Sequence, residues 1–260
     1  MPATTVFHMI RVGVVGAAGK MGSTVCDAIV AADGLELAAA VDLVGSGGSG
    51  HGLTIAADLK SLADAKCDVV VDFTVADAAR TTLPWLALHG MHAVVGTTGF
   101  SDDDLATFGK AFTGSNCLIA ANFAIGAVLM MKFAEQAAPY FETAEIIEFH
   151  HNAKADAPSG TAMVTAQRMA AASDEWAADP TKHEVIPGAR GGVGPGGIHV
   201  HGVRMVGMTA SQEVILGTAG QTLVIRHDSN DRVSFMPGVV LACRKVGDLK
   251  GLTMGIDSLL

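Results

Sequence analysis

The sequence predicts an α/β fold: a parallel sheet covered by helices, followed by a smaller α+β domain with a mixed sheet. Three observations carry this. Short runs rich in Val and Ile alternate with helix-like stretches through the first half. A glycine-rich turn stands directly after the first such run. Beyond Asn122 the rhythm changes, and three strand-like runs later follow one another with no helix between them.

Each element has its own signal. Ile10 to Val15 is apolar and β-branched and stops at Gly16, which reads as a buried first strand. Met21 to Ala32 reads as a helix closed by Asp33-Gly34, and Leu35 to Val41 as a second strand ending at Asp42. Val44 to Gly52 is a Gly/Ser-rich loop. Asp68 to Phe73 is the next strand, and Ala76 to His89 a helix stopped by Gly90. His92 to Val95 runs into Gly96-Thr97-Thr98-Gly99. Ser101 with Asp104 three residues on resembles a capping box, starting a helix that reaches about Phe112. Cys117 to Ala121 is a further strand.

The second half starts with a helix, Ala127 to Ala138, and a strand, Ala144 to Phe149. A helix over Ser159 to Ala172 precedes a polar, Gly/Pro-rich loop from Ser173 to Gly197. The three close strands are Ile198–Val206, Glu213–Leu216 and Thr222–Arg226. The last stretch carries a helix-like run, Val239 to Val246. The expected domains are therefore 1–123, with 231–260 returning to it, and 124–230.

With 260 residues, half of them apolar, the chain can bury a core without covalent staples. Cys26, Cys67, Cys117 and Cys243 are far apart and form no C-x-x-C pair, so free buried thiols in a reducing compartment are expected, and no metal. The formal charge of −9, without a basic run, argues against nucleic acid. Met1 to Met9 does not read as an export signal, and no apolar stretch is long enough to span a membrane. Cytoplasmic localisation is the expectation.

The glycine turn reads Gly16-Ala17-Ala18-Gly19-Lys20-Met21-Gly22. Glycines there permit a tight turn and let the backbone approach a pyrophosphate, while the following helix start supplies N–H groups and a positive dipole end. The spacing departs from G-x-G-x-x-G, and a turn without a ligand fits it too. Asp42 favours the ligand. It lies 20 residues beyond Gly22, at the end of the second strand, where an acid can bond ribose hydroxyls. A Rossmann-like dinucleotide-binding domain follows. Leu43 stands where an arginine for a 2′-phosphate would be useful, although Lys20 suits either that phosphate or the pyrophosphate. NADH is therefore expected, with NADPH also accepted.

The segment Glu148-Phe-His150-His151-Asn-Ala-Lys154-Ala-Asp156-Ala-Pro158-Ser159-Gly160-Thr161-Ala162 carries the chemistry. Ser159 suits an N-cap, and the N–H groups of Gly160 and Thr161 would then form a carboxylate-binding nest, with Lys154 as a second cation. Two histidines between strand and loop can hold or release a proton near neutral pH. Such a set fits a dicarboxylate whose hydride-accepting carbon also needs a proton. A surface histidine pair, a metal-ligand pair, ordinary loop charges and a plain helix cap are the bland alternatives. Each explains one part of the segment.

This run, E-x-HH-x-x-K-x-DAPSGTA, resembles the signature of the dihydrodipicolinate reductase (4-hydroxy-tetrahydrodipicolinate reductase) family. Further matches are GAAGKMG (16–22), VVDFT (70–74), VVGTTGF (94–100), AANFAIG (120–126), GARGG (188–192), HVHGVR (199–204) and Asp231-Arg232. The resemblance spans nearly the whole chain. It implies a nucleotide-binding domain, a substrate-binding and oligomerisation domain, and a homotetramer. It also implies hydride transfer from NADH or NADPH to a hydroxylated cyclic dicarboxylate with loss of water, a step of lysine biosynthesis through diaminopimelate. By the resemblance, His150 is the proton donor or acceptor and Lys154 the second proton donor. His151, Ser159, Gly160 and Thr161 bind substrate. Gly16, Ala17, Ala18, Gly19, Lys20, Met21, Asp42, Gly96, Thr97, Thr98, Ala120, Ala121, Asn122 and Phe123 line the cofactor. The loop after Asp42 and Lys20 depart from the family pattern, which bears on cofactor preference. His199 and His201 share a strand face and read as structural or rim histidines. Phe73 reads equally as a core residue or a neighbour of the nicotinamide. Another amino-acid-pathway dehydrogenase, or a non-catalytic NAD-binding sensor, would share the glycine turn but has no need of the histidine–lysine segment.

Overall fold

The computed structural model describes residues 9–260, so all but the last residue of the Met1–Met9 stretch lies outside the described residues. The chain forms two compact units, one comprising the residues up to Phe123 together with Phe235–Leu260, the other Ala124–Ser234. The division falls at Phe235 rather than at 231 because a short 3-10 turn, Arg232–Phe235, continues from the last strand of the second unit before the chain returns.

The first unit contains β1 (Ile10–Val15), α1 (Lys20–Ala31), β2 (Leu35–Val41) and a two-strand hairpin, β3 (Ser49–Gly50) and β4 (Leu53–Thr54). Then come α2 (Lys60–Asp64), β5 (Val69–Asp72), α3 (Ala76–Leu88), β6 (His92–Val95), α4 (Asp102–Ala111) and β7 (Cys117–Ile119). The second unit holds α5 (Ile125–Ala137), β8 (Thr143–His150), α6 (Gly160–Ala172), β9 (Gly192–Val193), β10 (His199–Arg204), β11 (Ala210–Thr218) and β12 (Gln221–Ser229). The chain then returns to the first unit with α7 (Met236–Lys245) and β13 (Leu252–Met254).

The first unit's sheet has the order β13-β7-β6-β5-β1-β2, with every pair parallel. Parallel strands buried on both faces read as continuous apolar runs, as Val69 to Val71 and Ala93 to Val95 do, all of them 3% exposed or less. Helix α1 buries Gly22, Val25, Cys26 and Ile29, the spacing of one helical face. Helix α4 starts at the expected capping box, where the Ser101 hydroxyl accepts from the Asp104 N–H and the Asp104 carboxylate accepts from the Ser101 N–H. The chain steps from β1 to β2 on one side and then to β5 on the other. That reversal opens a crevice beyond the carboxyl ends of β1, β2 and β5, where open α/β sheets bind ligands.

The second unit's sheet has the order β12-β11-β8-β10-β9 and is mixed: β10 runs parallel to β8 and the other pairs are antiparallel. One face buries Ile146, Val200, Val214 and Leu216. By strand alternation the opposite face carries Ile147, Phe149, Ile215 and Val224, of which Val224 is 51% exposed. Helix α6 buries Ala162, Thr165, Ala166 and Met169 on one side. The four cysteines are free and buried; burial pushes the Cys67 thiol up to about 11 and those of Cys26 and Cys243 to about 12. No helix among the described residues is long and apolar enough to cross a membrane.

Candidate functional site

The crevice of the first unit is a cavity of about 680 Å³, within the usual range for small-molecule sites. Of the residues expected to line a cofactor, Gly16, Gly19 and Asp42 line it. Gly16 has φ +84°, and a Cβ there would stand 2.8 Å from the Phe73 carbonyl oxygen, so only glycine makes this turn. The next helix packs as tightly, since a Cβ on Gly22 would stand 1.9 Å from the Gly16 oxygen. No side chain caps α1 and its first turn holds no acid, so the positive end of the helix is left for an anion. These features fit a dinucleotide pyrophosphate. Lys20 is exposed at that helix start and Met21 half-buried, while Ala17 is buried and can offer a ligand little beyond backbone.

Asp42 anchors the crevice. Its carboxylate accepts from the backbone N–H groups of Ala18, Val44 and Gly45. The rest of the wall comes from residues to which sequence reasoning gave no cofactor role: Leu43, Val44, Leu59, Val75 and Ala78 give it an apolar surface, and Asp58 adds a second acid. Among the described residues no Lys or Arg lines it. The only sequence signal of these wall residues is position: Leu43, Val44 and Val75 just past the ends of β2 and β5, Asp58 and Leu59 just before α2, and Ala78 in the first turn of α3.

Gly96, Thr97 and Thr98 follow β6, beside the residues that end β5. Thr97 is buried and its hydroxyl donates to Asp72 Oδ1 at 2.8 Å; the same oxygen accepts from the Thr74 hydroxyl at 2.7 Å and the Thr74 N–H at 3.0 Å. The Phe73 ring lies over Gly96, where a Cβ would stand 2.0 Å from it, and its centroid is 5.8 Å from that of Phe123. Phe73 therefore both packs and lines the cavity. Ala120 and Phe123 are buried, Asn122 is half-buried and Ala121 exposed beyond the end of β7. None of these seven residues after β6 and β7 is part of the cavity lining.

In the second unit His150 is the last residue of β8, with Ala210 of β11 on one side and Arg204 of β10 on the other. Its side chain is 17% exposed and its Nδ1 lies 2.5 Å from Glu148 Oε2. Glu148 is fully buried. It also takes a bidentate pair from Arg204, at 2.8 and 2.7 Å, and the Ser159 backbone N–H at 3.2 Å. Burial pushes the Glu148 carboxyl up, but the hydrogen bonds from Arg204 and His150 outweigh it and hold the group below its ordinary value. Glu148 and Arg204 both stand in quoted motifs, yet no sequence signal paired them, because 56 residues separate them.

The start of α6 is built as expected at its cap: the Ser159 hydroxyl accepts from the Ala162 N–H. The place of a Gly160 Cβ is open space. Thr161 follows it in the first turn and is half-buried. His151 is exposed. Lys154 Nζ is engaged by both carboxylate oxygens of Asp156 at 2.8 Å, an ion pair within the loop that the sequence did not disclose. His199 and His201 are built into a clamp: His199 Nδ1 meets the Arg190 carbonyl at 2.6 Å, and His201 Nε2 meets Glu145 Oε2 at 2.6 Å beside Arg190.

Known proteins share this arrangement of sequence. The family model for the N-terminal part of dihydrodipicolinate reductase matches residues 10–123, and that for its C-terminus matches 126–260. The 4-hydroxy-tetrahydrodipicolinate reductase of Thermobifida fusca is 53% identical over 260 residues, covering 97% of this chain and 99% of its own. That of Mycolicibacterium smegmatis is 49% identical, covering 96% and 99%. A solved structure, a dipicolinate-bound dihydrodipicolinate reductase from Paenisporosarcina sp. TG-14, superposes with a TM-score of 0.87 at 36% identity over 97% of this chain and all of that one. The chain belongs to the dihydrodipicolinate reductase family.

Proposed function

We propose that this chain reduces 4-hydroxy-tetrahydrodipicolinate to tetrahydrodipicolinate and water with a nicotinamide cofactor, in lysine biosynthesis through diaminopimelate. The observation that carries the reading is the folded form of the segment from Glu148 to Ala162. A buried carboxylate holds His150 at a strand end and also bonds Ser159 at a helix start, in a chain about half identical to enzymes of that name. The dipicolinate of the related structure is a cyclic dicarboxylate, the class of molecule such a segment suits.

The net change replaces a hydroxyl by hydrogen: a hydride and a proton enter, and the hydroxyl leaves as water. The bound reduced nicotinamide supplies the hydride. His150 supplies the proton from its ring, and Lys154 assists proton transfer. Lys154, His151 and the start of α6 at Ser159, Gly160 and Thr161 hold the substrate carboxylates. To bind one, Lys154 exchanges its Asp156 partner for the substrate, a like-for-like swap of carboxylates. Gly16 to Met21 would take the pyrophosphate and Asp42 the adenosine ribose. Gly96 to Thr98 and Ala120 to Phe123 would line the rest of the cofactor. Positioning and acid catalysis are the protein's share of the rate.

NADH is the preferred cofactor, with NADPH accepted. Among the described residues two carboxylates, Asp42 and Asp58, and no cation line the cavity, which suits ribose hydroxyls better than a phosphate. The protein is cytoplasmic, in keeping with four buried free cysteines, and works as a homotetramer joined through its second unit. The deciding assay is oxidation of NADH with and without freshly generated 4-hydroxy-tetrahydrodipicolinate. Substrate-dependent loss of NADH absorbance is expected; oxidation that ignores the substrate, or none at all, overturns the reading.

A further inference from the structure

We propose that Glu148 is a positioning residue for the reduction, fixing His150 in the tautomer protonated on Nδ1 so that Nε2 is the nitrogen that handles the proton. The inference rests on the reading of His150 as the proton donor. It begins with strand geometry. Residues two apart on a strand share a face, so Glu148 and His150 project from the same side of β8. That side is the one buried by Ile146, Val200, Val214 and Leu216, and the Glu148 side chain is fully enclosed. A carboxylate in such a place survives only when every lone pair direction finds a donor.

The donors are present. Arg204 gives both terminal nitrogens, one to each oxygen, and its Nη2 also reaches the Asp156 carbonyl at 2.6 Å. The Ser159 N–H gives to Oε1. Gly202 sits in register beside Glu148, and a Cβ there would come within 3.1 Å of Oε1, so a small residue leaves the carboxylate its room. With Arg204 balancing its charge, Glu148 is ionised and has no proton to give. The 2.5 Å contact with His150 Nδ1 must then carry the histidine's proton. A neutral His150 therefore keeps Nδ1–H and leaves Nε2 bare, and an imidazolium carries its transferable proton on Nε2.

A structural role alone, an ion pair tying the Asp156–Ser159 loop to the sheet, is the competing account. Side-chain ¹⁵N NMR separates them, with His150 assigned by its loss in His150→Gln. Neutral His150 is expected as the Nδ1–H tautomer in the unaltered protein, and as the other tautomer or a mixture in Glu148→Gln. Glu148→Gln should lower kcat by about 10²-fold or more, toward the roughly 10⁴-fold loss that follows when an orienting carboxylate becomes an amide and the tautomer is wrong, with a smaller change in KM. On a His150→Gln background the same change should cost nothing further in kcat, because the two residues act as one unit. Losses that multiply, or an Nε2–H tautomer in the unaltered protein, overturn the proposal. If Glu148→Gln does not fold, the tautomer in the unaltered protein decides. A His150→Gln variant with full kcat would overturn the acid assignment as well, while the tautomer reading would show separately whether the Glu148 contact is real.

Discussion

The Asp42 carboxylate accepts a hydrogen bond from the Ala18 backbone N–H at 3.1 Å, joining the end of β2 to the middle of the glycine turn. The same carboxylate holds the loop beyond β2 through Val44 and Gly45, at 2.9 and 3.1 Å. A side chain with these partners shapes the crevice as well as facing it. Asp42→Ala should therefore weaken binding of both cofactors through the turn, and weaken NADH more, because only NADH keeps the adenosine 2′-hydroxyl free for the acid to bind. In the unaltered protein kcat/KM for NADH should equal or exceed that for NADPH. A preference for NADPH of about tenfold, worth about 1.4 kcal/mol, would contradict the acidic lining.

His150 and Lys154 should separate in their kinetics. His150 ends β8 with strands on both sides, a rigid mount, while Lys154 sits on the loop and already holds a carboxylate. His150→Gln should lower kcat by about 10²–10⁴-fold, the usual worth of general acid catalysis, with a smaller change in KM. Lys154→Ala should harm both constants, since it removes a carboxylate partner and a helper in proton transfer. NADH affinity, measured by fluorescence titration, should survive both changes, because the crevice belongs to the other unit. Near-normal kcat in His150→Gln would move the acid to His151 or Lys154.

Assembly should be visible in light scattering. Strand β12 is an edge of the second sheet, with Leu223 and Val224 37% and 51% exposed, and the face beside it carries Ile147, Phe149 and Ile215. Unpaired edges and open apolar faces invite association. Four copies per particle are expected at micromolar concentration. Placing Asp at Val224 should dissociate the particle without unfolding the first unit. A monomeric unaltered protein would remove this expectation.

Much of this was legible because its signals are local. The run from Ile10 to Val15, the Ser101–Asp104 capping box and the Ser159 cap each declare themselves within a few residues. Strand β13 was not foreseen: three residues, Leu252 to Met254, are too few to show a period, and only pairing with β7 makes them a strand. Helix α2, five residues long, failed for the same reason. In the site, the sequence leaves Lys154 as either a second cation for a ligand or an ordinary loop charge, and does not disclose that its partner is Asp156, two residues away. The Glu148–Arg204 pair was out of reach for the opposite reason, since β10 meets β8 only after the chain has traversed α6 and a long loop. Asp72 likewise stood in a quoted motif, but its burial depends on strands from either side.

That burial yields the last prediction. Asp72 ends β5, the fourth strand from one edge of the first sheet, and is fully enclosed. Three donors, from Thr74 and Thr97, converge on Oδ1, while Oδ2 is buried with no partner among the described residues. Burial raises the Asp72 carboxyl above its ordinary value, and the hydrogen bonds from Thr74 and Thr97 offset only part of that. The sign follows from linkage. A group that binds its proton more tightly when folded adds stability below its unfolded pKa, about 3.9 for Asp, and loses that advantage as pH rises through the folded value. Asp72→Asn keeps the acceptor oxygen on Oδ1 but cannot ionise. The melting temperature of the unaltered protein minus that of Asp72→Asn should therefore fall as pH is raised from 4 to 8. Between the two pKa values the change should approach about 1.4 kcal/mol per pH unit. Groups shared by both proteins cancel in the difference, so scanning calorimetry of the pair isolates this one carboxyl. A difference that stays flat, or grows with pH, would show that Asp72 is ionised in the fold and that its three donors outweigh its burial.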